Sequence, residues 1–194
     1  MEKLPEIPEQ KWDEDLENLM KAWGEKAAGN KELHIMSARK WQIFSNRMYT
    51  PLLLLTTIGG VGSIGSTGSS NNNYIMISIG VMNLVSAILT GLVKYHRVEE
   101  KIQEHLFTSK AFGSFYRTVS LELALSRDTR KDADVFNLWA KNEYDKMLKE
   151  APMVSQYIID EYKAKHENDE NKPDIVSDSY IINIHGRKEN FKES

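Results

Sequence analysis

The residues best suited to chemistry lie just after the longest uncharged segment of the chain. His96, Glu99, Glu100, Glu104 and His105 provide two imidazoles and three carboxylates in one short stretch. Glu100 and Glu104 are four residues apart and therefore share one face of a helix. Imidazole and carboxylate are both zinc ligands, but a zinc site needs further ligands that close around the ion, and the sequence supplies none. We interpret the cluster as a solvated, charged collar and predict no metal site.

No other pattern in the chain indicates catalysis. The 194 residues include no cysteine, which excludes disulfides, thiolate metal sites and a cysteine nucleophile. The sequence has no phosphate-binding loop, no dinucleotide fingerprint and no nucleophile elbow, and the glycines around Gly60 follow no strand. The net charge of −3 predicts no basic surface for nucleic acid. We therefore predict that the protein is not an enzyme, needs no cofactor and does not bind nucleic acid.

The element that must position the collar is a long uncharged segment. No residue between Arg47 and Lys94 is charged, although 27% of the chain is. Residues 48–66 and 74–93 each approach the roughly 20 apolar residues that a helix needs to cross a bilayer, and residues 67–73 between them are turn formers. We predict an all-α membrane protein with a two-helix transmembrane hairpin over 48–93. The alternative is a buried hairpin of a soluble protein, but these segments lack the polar face of such helices.

Positive charge flanks the predicted hairpin on the side of both termini. The flanking residues are Arg39, Lys40, Arg47, Lys94 and Arg97. The positive-inside rule therefore predicts that both termini are cytoplasmic and that the loop lies on the other side. The N-terminal residues are acidic and have no apolar core, so we expect no cleaved signal and insertion directed by the spans.

Each predicted span has one distinctive surface. Small residues on the first span permit close packing of another helix, from the hairpin itself or from a neighbouring subunit. Polar residues on the second span share one face and either bond to another helix or line water in an oligomer. The small residues are Gly59, Gly60, Gly62 and Ser63, and the polar residues, as a candidate pore lining, are Asn83, Ser86 and Thr90.

The N-terminal flank, residues 1–47, is predicted to form cytoplasmic amphipathic helices. Apolar residues recur at helical spacing from Asp13 to about Ala28, and again over 31–47. Gly29-Asn30 predicts an interruption between the two helices. Pro51 suits the first turn of a helix and predicts a break at Thr50, where the second helix meets the first span.

The C-terminal flank is predicted to extend the second span. Over 94–166 the helical pattern continues, first to about Leu125 as one long helix, and then in helices capped by Asp132 or Asp134 and by Ser155. These helices should pack into a cytoplasmic bundle, because none can bury its apolar face alone. A salt-bridge network at the turn between them would comprise Arg117, Glu122, Arg127, Asp128 and Arg130. Residues 167–194 are predicted to be a mostly disordered polar tail, in which SYIINIHG has the alternation of a strand that could add to a protein partner.

Several motifs carry a family resemblance between about Leu16 and His166. They are KAWGEKAAGNKELHIMSA before the first span, YTPLLLLTTIGGVGSI within it, the most specific segment Phe115–Asp134, and NEYDKMLKEAPMVSQYII. In these the chain resembles the SLATT family of two-transmembrane proteins, in particular the stand-alone versions of large DNA viruses of eukaryotes. The resemblance implies a membrane effector that oligomerises in the bilayer and forms pores or otherwise compromises the membrane. It implies no catalytic residues, and we expect no fused sensor domain.

The sequence thus predicts a two-pass membrane protein that forms a homo-oligomer in the bilayer, with pore or channel activity. The alternative is a structural viral membrane protein that anchors a capsid or scaffold through its cytoplasmic helices and tail. Either would reside in a host intracellular membrane or in the inner membrane of a virion.

Overall fold

The computed structural model describes residues 11–66 and 73–177, and this part of the chain is helical, with no strand. The prediction of an all-α protein is confirmed. The predicted loop lies outside the described residues except for Asn73, and so does the SYIINIHG segment. The helices are α1 (Glu14–Ser66), α2 (Asn73–Tyr95), α3 (Val98–Ala124), α4 (Ala133–Glu150) and α5 (Gln156–Lys165), with a short 3-10 turn at Arg127–Thr129.

Helix α1 continues through the predicted interruption at Gly29-Asn30, so that prediction is wrong. The buried Asn30 amide donates to the Lys26 carbonyl at 3.1 Å and to the Tyr144 hydroxyl at 3.4 Å. Gly29 has no side chain, and Tyr162 packs into the space that one would fill. These tertiary contacts outweigh the low intrinsic helix propensity of glycine.

The predicted break at Thr50 is also wrong, because Pro51 lies inside α1 and not in a first turn. Proline cannot donate the hydrogen bond that would reach the Arg47 carbonyl, and this loss normally breaks or kinks a helix. Here the neighbouring turn is tied to a second helix, since the Tyr49 hydroxyl donates to Glu99 Oε1 at 3.0 Å. The helix continues through Pro51, and this bond is one contact that holds the adjacent turn against α3.

Helices α2 and α3 together follow α1 in the opposite direction. This arrangement is shown by four contacts along the helices. Gly24 lies against Val119, His34 against His105, Phe44 against His96 and Gly62 against Ile79. The long helix predicted beyond the second span is interrupted at His96 and Arg97. Arg97 has φ 48° and ψ 44°, a left-handed conformation that costs a residue with a β-carbon on the order of 1 kcal/mol.

Helix α4 packs on α1 and α3 and completes a helical bundle. The Asp132 carboxylate accepts a hydrogen bond from the Val135 N–H at 3.1 Å, which confirms the predicted cap. Ser155 precedes α5 as predicted, but its side chain makes no capping bond. The main core comprises Leu16, Met20 and Ala27 of α1, Phe112, Phe115 and Val119 of α3, and Ala133, Phe136, Ala140, Tyr144 and Met147 of α4.

The first part of the predicted disordered tail is packed against the bundle. Pro173 and Val176 are buried, and Val176 joins a small core with Leu33 and Tyr162. Lys26 Nζ lies 2.6 Å from Asp174 Oδ1. The prediction of disorder is therefore wrong for residues 167–177, because two apolar residues there reach a core. Residues 178–194 lie outside the described part of the chain.

Candidate functional site

Most of the surface of α2 is apolar and unburied. Within residues 73–124, the described part of the chain contains one segment with the length and composition of a membrane span. Only 6% of this apolar segment is buried. The facing part of α1 also exposes Leu53, Leu54, Ile58 and Val61, each by more than half. Monomeric soluble proteins rarely expose an apolar surface of this extent.

The small residues of α1 divide between two sides of the helix. A β-carbon at Gly59 would lie 3.1 Å from Asn83 Oδ1, and one at Gly62 would lie 3.3 Å from Ile79 Cδ1. Gly60 would meet nothing within 4 Å, and Ser63 is exposed. Gly59 and Gly62 therefore allow α1 to approach α2, whereas Gly60 faces away from it.

The polar residues of α2 also differ in their surroundings. Ser86 is buried and donates to the Met82 carbonyl at 2.9 Å, and the half-buried Thr90 donates to the Ser86 carbonyl at 2.8 Å. Asn83 is exposed, and its amide has no hydrogen-bond partner among the residues that the structure describes. Ser86 and Thr90 are thus satisfied within the helix, while the amide of Asn83 lies with Oδ1 against Gly59 of α1 and keeps unpaired N–H donors on the exposed side chain.

The flanking cations predicted from the sequence are all exposed and lie where α1 passes the α2–α3 junction. Arg97 pairs with Glu100, and Lys40 Nζ lies 3.4 Å from the centroid of the Tyr157 ring. Arg47 forms no ion pair within the described ranges. Arg39 and Lys94 are exposed as well. A basic surface therefore borders the apolar segment.

The structure disperses the His/Glu cluster that the sequence places together. Glu99 accepts from Tyr49, and the His96 ring contacts the Phe44 ring edge-on at 6.0 Å between centroids. His105 points into the bundle, and Glu104 is exposed. In the described part of the chain no three His, Asp or Glu side chains are placed to hold a metal ion.

The partner of His105 is His34, which the sequence analysis did not single out. Their Nδ1 atoms lie 2.9 Å apart, both rings are buried, and Phe112 stacks on His34 at 5.9 Å between centroids. Burial, together with the nearby His105, lowers the pKa of His34 to about 4. Burial and the charge of Lys101 lower the pKa of His105. Two neutral rings can share one proton between the Nδ1 atoms, one donating and one accepting. His34 is four residues from both Asn30 and Ala38, so the three share the buried face of α1. That helical spacing is the sequence pattern that could have indicated a buried His34.

The predicted salt-bridge network is centred on a residue that the sequence analysis did not include. Glu17 of α1 accepts from Arg127 Nε at 2.7 Å and from Arg130 Nη1 at 2.5 Å. Hydrogen bonds from these two guanidinium groups lower the pKa of Glu17 to about 2. Glu122 instead accepts from the Lys131 N–H at 2.6 Å. Among the described residues, neither Arg117 nor Asp128 joins the ion pairs of Glu17.

Comparison of the chain with models of known families, with curated proteins and with solved structures found no match. The resemblance to the SLATT family therefore remains a prediction from the motifs quoted above.

Proposed function

We propose that the chain is a two-pass integral membrane protein that assembles through its spans into a pore- or channel-forming oligomer. The proposed spans are the part of α1 from Met48 onward and α2, with both termini on the cytoplasmic side. The exposed apolar surfaces of both segments support membrane insertion, and the exposed cations at one end support the orientation.

Self-association is supported above all by the exposed amide of Asn83. An amide in the hydrocarbon region that has no partner costs free energy, and a hydrogen bond to a neighbouring helix removes that cost. Hydrogen bonding between the Asn83 side chains of several subunits would place polar groups at one level of the bilayer. Such a ring would provide the polar constriction of a pore. The SLATT resemblance also favours a membrane effector of this kind.

The first test uses reconstituted protein in dye-loaded vesicles. The variant Asn83→Leu should reduce both dye release and the oligomer trapped by chemical cross-linking. Ser78→Ala is the matched control, because the Ser78 hydroxyl is exposed but already donates to the Tyr74 carbonyl at 2.8 Å. Dye release that Asn83→Leu leaves unchanged, or an oligomer that releases no dye, would contradict the proposed pore.

The second test addresses topology and exploits the absence of cysteine. Single cysteines replace Ser69, between the spans, and Asn142, which is exposed on α4. An impermeant thiol reagent should label them from opposite sides of sealed vesicles. Labelling of both from the same side would contradict the two-pass arrangement.

A structural anchor is the second candidate function. It is favoured by Val135 and Leu138, which are 63% and 61% exposed on one face of α4, outside the proposed membrane region. Vesicles that do not leak but recruit a capsid or scaffold protein would support this function. That recruitment should be lost in Val135→Asp/Leu138→Asp.

A further inference from the structure

An apolar groove of about 490 Å³ opens between α1 and the segment that joins α4 to α5. Ile43 and Phe44 form part of one wall, and Met153 and Val154 form part of the other. Ile43 is 44% exposed and Met153 is 94% exposed, so the lining is open to the surroundings. An exposed methionine on a short connection between two helices contributes nothing to the core of the bundle, which leaves its apolar side chain available to a partner.

The groove is bordered by cations and contains no carboxylate in its lining. Lys40 and Arg47 both line it. They are seven residues apart on α1, which places them on the same face of the helix and about 10 Å apart along its axis. The Lys40 ammonium is held over the Tyr157 ring. The Arg47 guanidinium is exposed and has no ion pair in the described ranges, so its donors are free.

The groove also has a defined position relative to the proposed bilayer. Arg47 immediately precedes the proposed first span, and Trp41 and Phe44 lie within two turns of it. A headgroup layer extends roughly 5–8 Å beyond each side of the hydrocarbon core, so Arg47 and the adjacent part of the groove lie at its level. Aromatic and basic side chains are enriched at this depth in membrane proteins.

We infer that this groove binds an anionic phospholipid of the leaflet that faces the bundle. The phosphate would accept hydrogen bonds from Arg47, whose planar guanidinium suits two phosphate oxygens, and would be attracted by Lys40. The glycerol region would contact Ile43, Phe44 and Met153 at the level of the headgroups, and the acyl chains would continue past Met48 into the hydrocarbon core. This inference rests on the proposed membrane insertion and adds a lipid specificity to it.

The test places a fluorescent probe in the groove. A single cysteine at Met153, the only thiol in the chain, carries an environment-sensitive fluorophore. The full-length protein is reconstituted in vesicles of phosphatidylcholine alone and in vesicles of phosphatidylcholine with phosphatidylglycerol in equal parts. The probe should report a more apolar environment in the second vesicles. Arg47→Gln should weaken the response to phosphatidylglycerol about fivefold, because each cation near an anionic surface contributes on that order to binding.

Three controls distinguish lipid binding in the groove from nonspecific charge effects, from binding of a free anion and from failure of membrane insertion. Lys141→Gln removes an exposed cation on α4 and should leave the response unchanged. Inorganic phosphate added to the phosphatidylcholine vesicles should have no effect, and a response to phosphate alone would overturn the lipid assignment in favour of a simple anion site. Resistance to alkaline extraction shows separately whether the chain is inserted. If the protein is inserted but the fluorophore responds equally in both kinds of vesicle, this inference is overturned. An equal response in Arg47→Gln and wild type also overturns it, and neither result affects the proposed membrane insertion. Failure of insertion instead overturns the proposed function.

Discussion

The Nδ1 atoms of His34 and His105 lie 2.9 Å apart in the interior of the bundle, where they join α1 to α3. Neither ring is more than 3% exposed. The pair can form its hydrogen bond only while at least one Nδ1 is unprotonated. The contact between α1 and α3 therefore depends on a group whose pKa is lowered into the acid range.

The first prediction is that the bundle loses stability as the pH falls below about 6.5. The pKa of His34 is lowered from 6.5 to about 4, so between these values the unfolded chain binds more protons than the folded one. Stability is therefore complete above the unfolded pKa and is lost as the pH falls toward about 4, by roughly 2–3 kcal/mol. Thermal unfolding followed by circular dichroism in detergent, across this range, measures the effect.

The variant His34→Gln separates this pair from other acid-sensitive groups. It removes the titrating ring and should flatten the decline in Tm over the same pH range. His96→Gln serves as control, because His96 lies at the α2–α3 junction outside the pair. A decline in His34→Gln as steep as in the wild type would show that other groups cause it.

The second prediction concerns the close approach of the C-terminal segment to α1. A β-carbon at Gly29 would lie 2.6 Å from both Pro173 Cγ and the Tyr162 hydroxyl. Gly29→Ala should therefore displace the segment around Pro173 and lower the free energy of unfolding by roughly 1–3 kcal/mol. Hydrogen exchange should accelerate selectively in residues 171–177.

Gly113→Ala is the control for Gly29→Ala. Its nearest contact would be Lys31 Cδ at 3.3 Å, in a flexible side chain that can move aside. This variant should be neutral or should gain up to about 1 kcal/mol from the better helix propensity of alanine. Equal losses from the two substitutions would refute the proposed steric cause.

The third prediction concerns the junction between α2 and α3. Arg97 is the one non-glycine residue with positive φ in the described chain. Arg97→Gly should stabilise the protein by up to about 1 kcal/mol, because glycine adopts this conformation without steric cost. Arg97→Ala also removes the ion pair with Glu100 but keeps a β-carbon, and should give no gain. A gain of the same size in Arg97→Ala would assign the effect to charge and not to the backbone.

The fourth prediction compares two adjacent glycines in the first proposed span. Gly59→Leu should separate α1 from α2, because even a β-carbon there would lie 3.1 Å from Asn83 Oδ1. Gly60→Leu introduces the same side chain where nothing lies within 4 Å. Reversible unfolding in mixed detergent micelles should show a loss of roughly 1–3 kcal/mol for Gly59→Leu alone. Similar losses for both variants would mean that the packing face has been assigned incorrectly.

The sequence predicted the helical class, the Asp132 cap and the apolar segments, because each depends on local periodicity or on a single side chain near its own backbone. It failed at Gly29, where contacts with residues far along the chain overrule a rule that holds for an isolated helix, and at Pro51, which lies inside α1. The pairing of His34 with His105 was invisible for the same reason, since only the antiparallel arrangement of α1 and α3 brings them together. Val176 looked like part of a polar tail because its partners, Leu33 and Tyr162, lie on two different helices.

The continuity of α1 has a mechanical consequence. Its 53 residues form one continuous helix about 80 Å long, from the ion pairs of Glu17 to the far end of the proposed membrane segment, with Pro51 inside it. A change of about 10° in the tilt of that segment would sweep Glu17 through roughly 9 Å, given about 50 Å of helix outside the bilayer. If the proposed span inserts, bilayer thickness would thus set the angular position of the whole bundle, and the left-handed residue Arg97 marks the point where the returning chain can bend between α2 and α3.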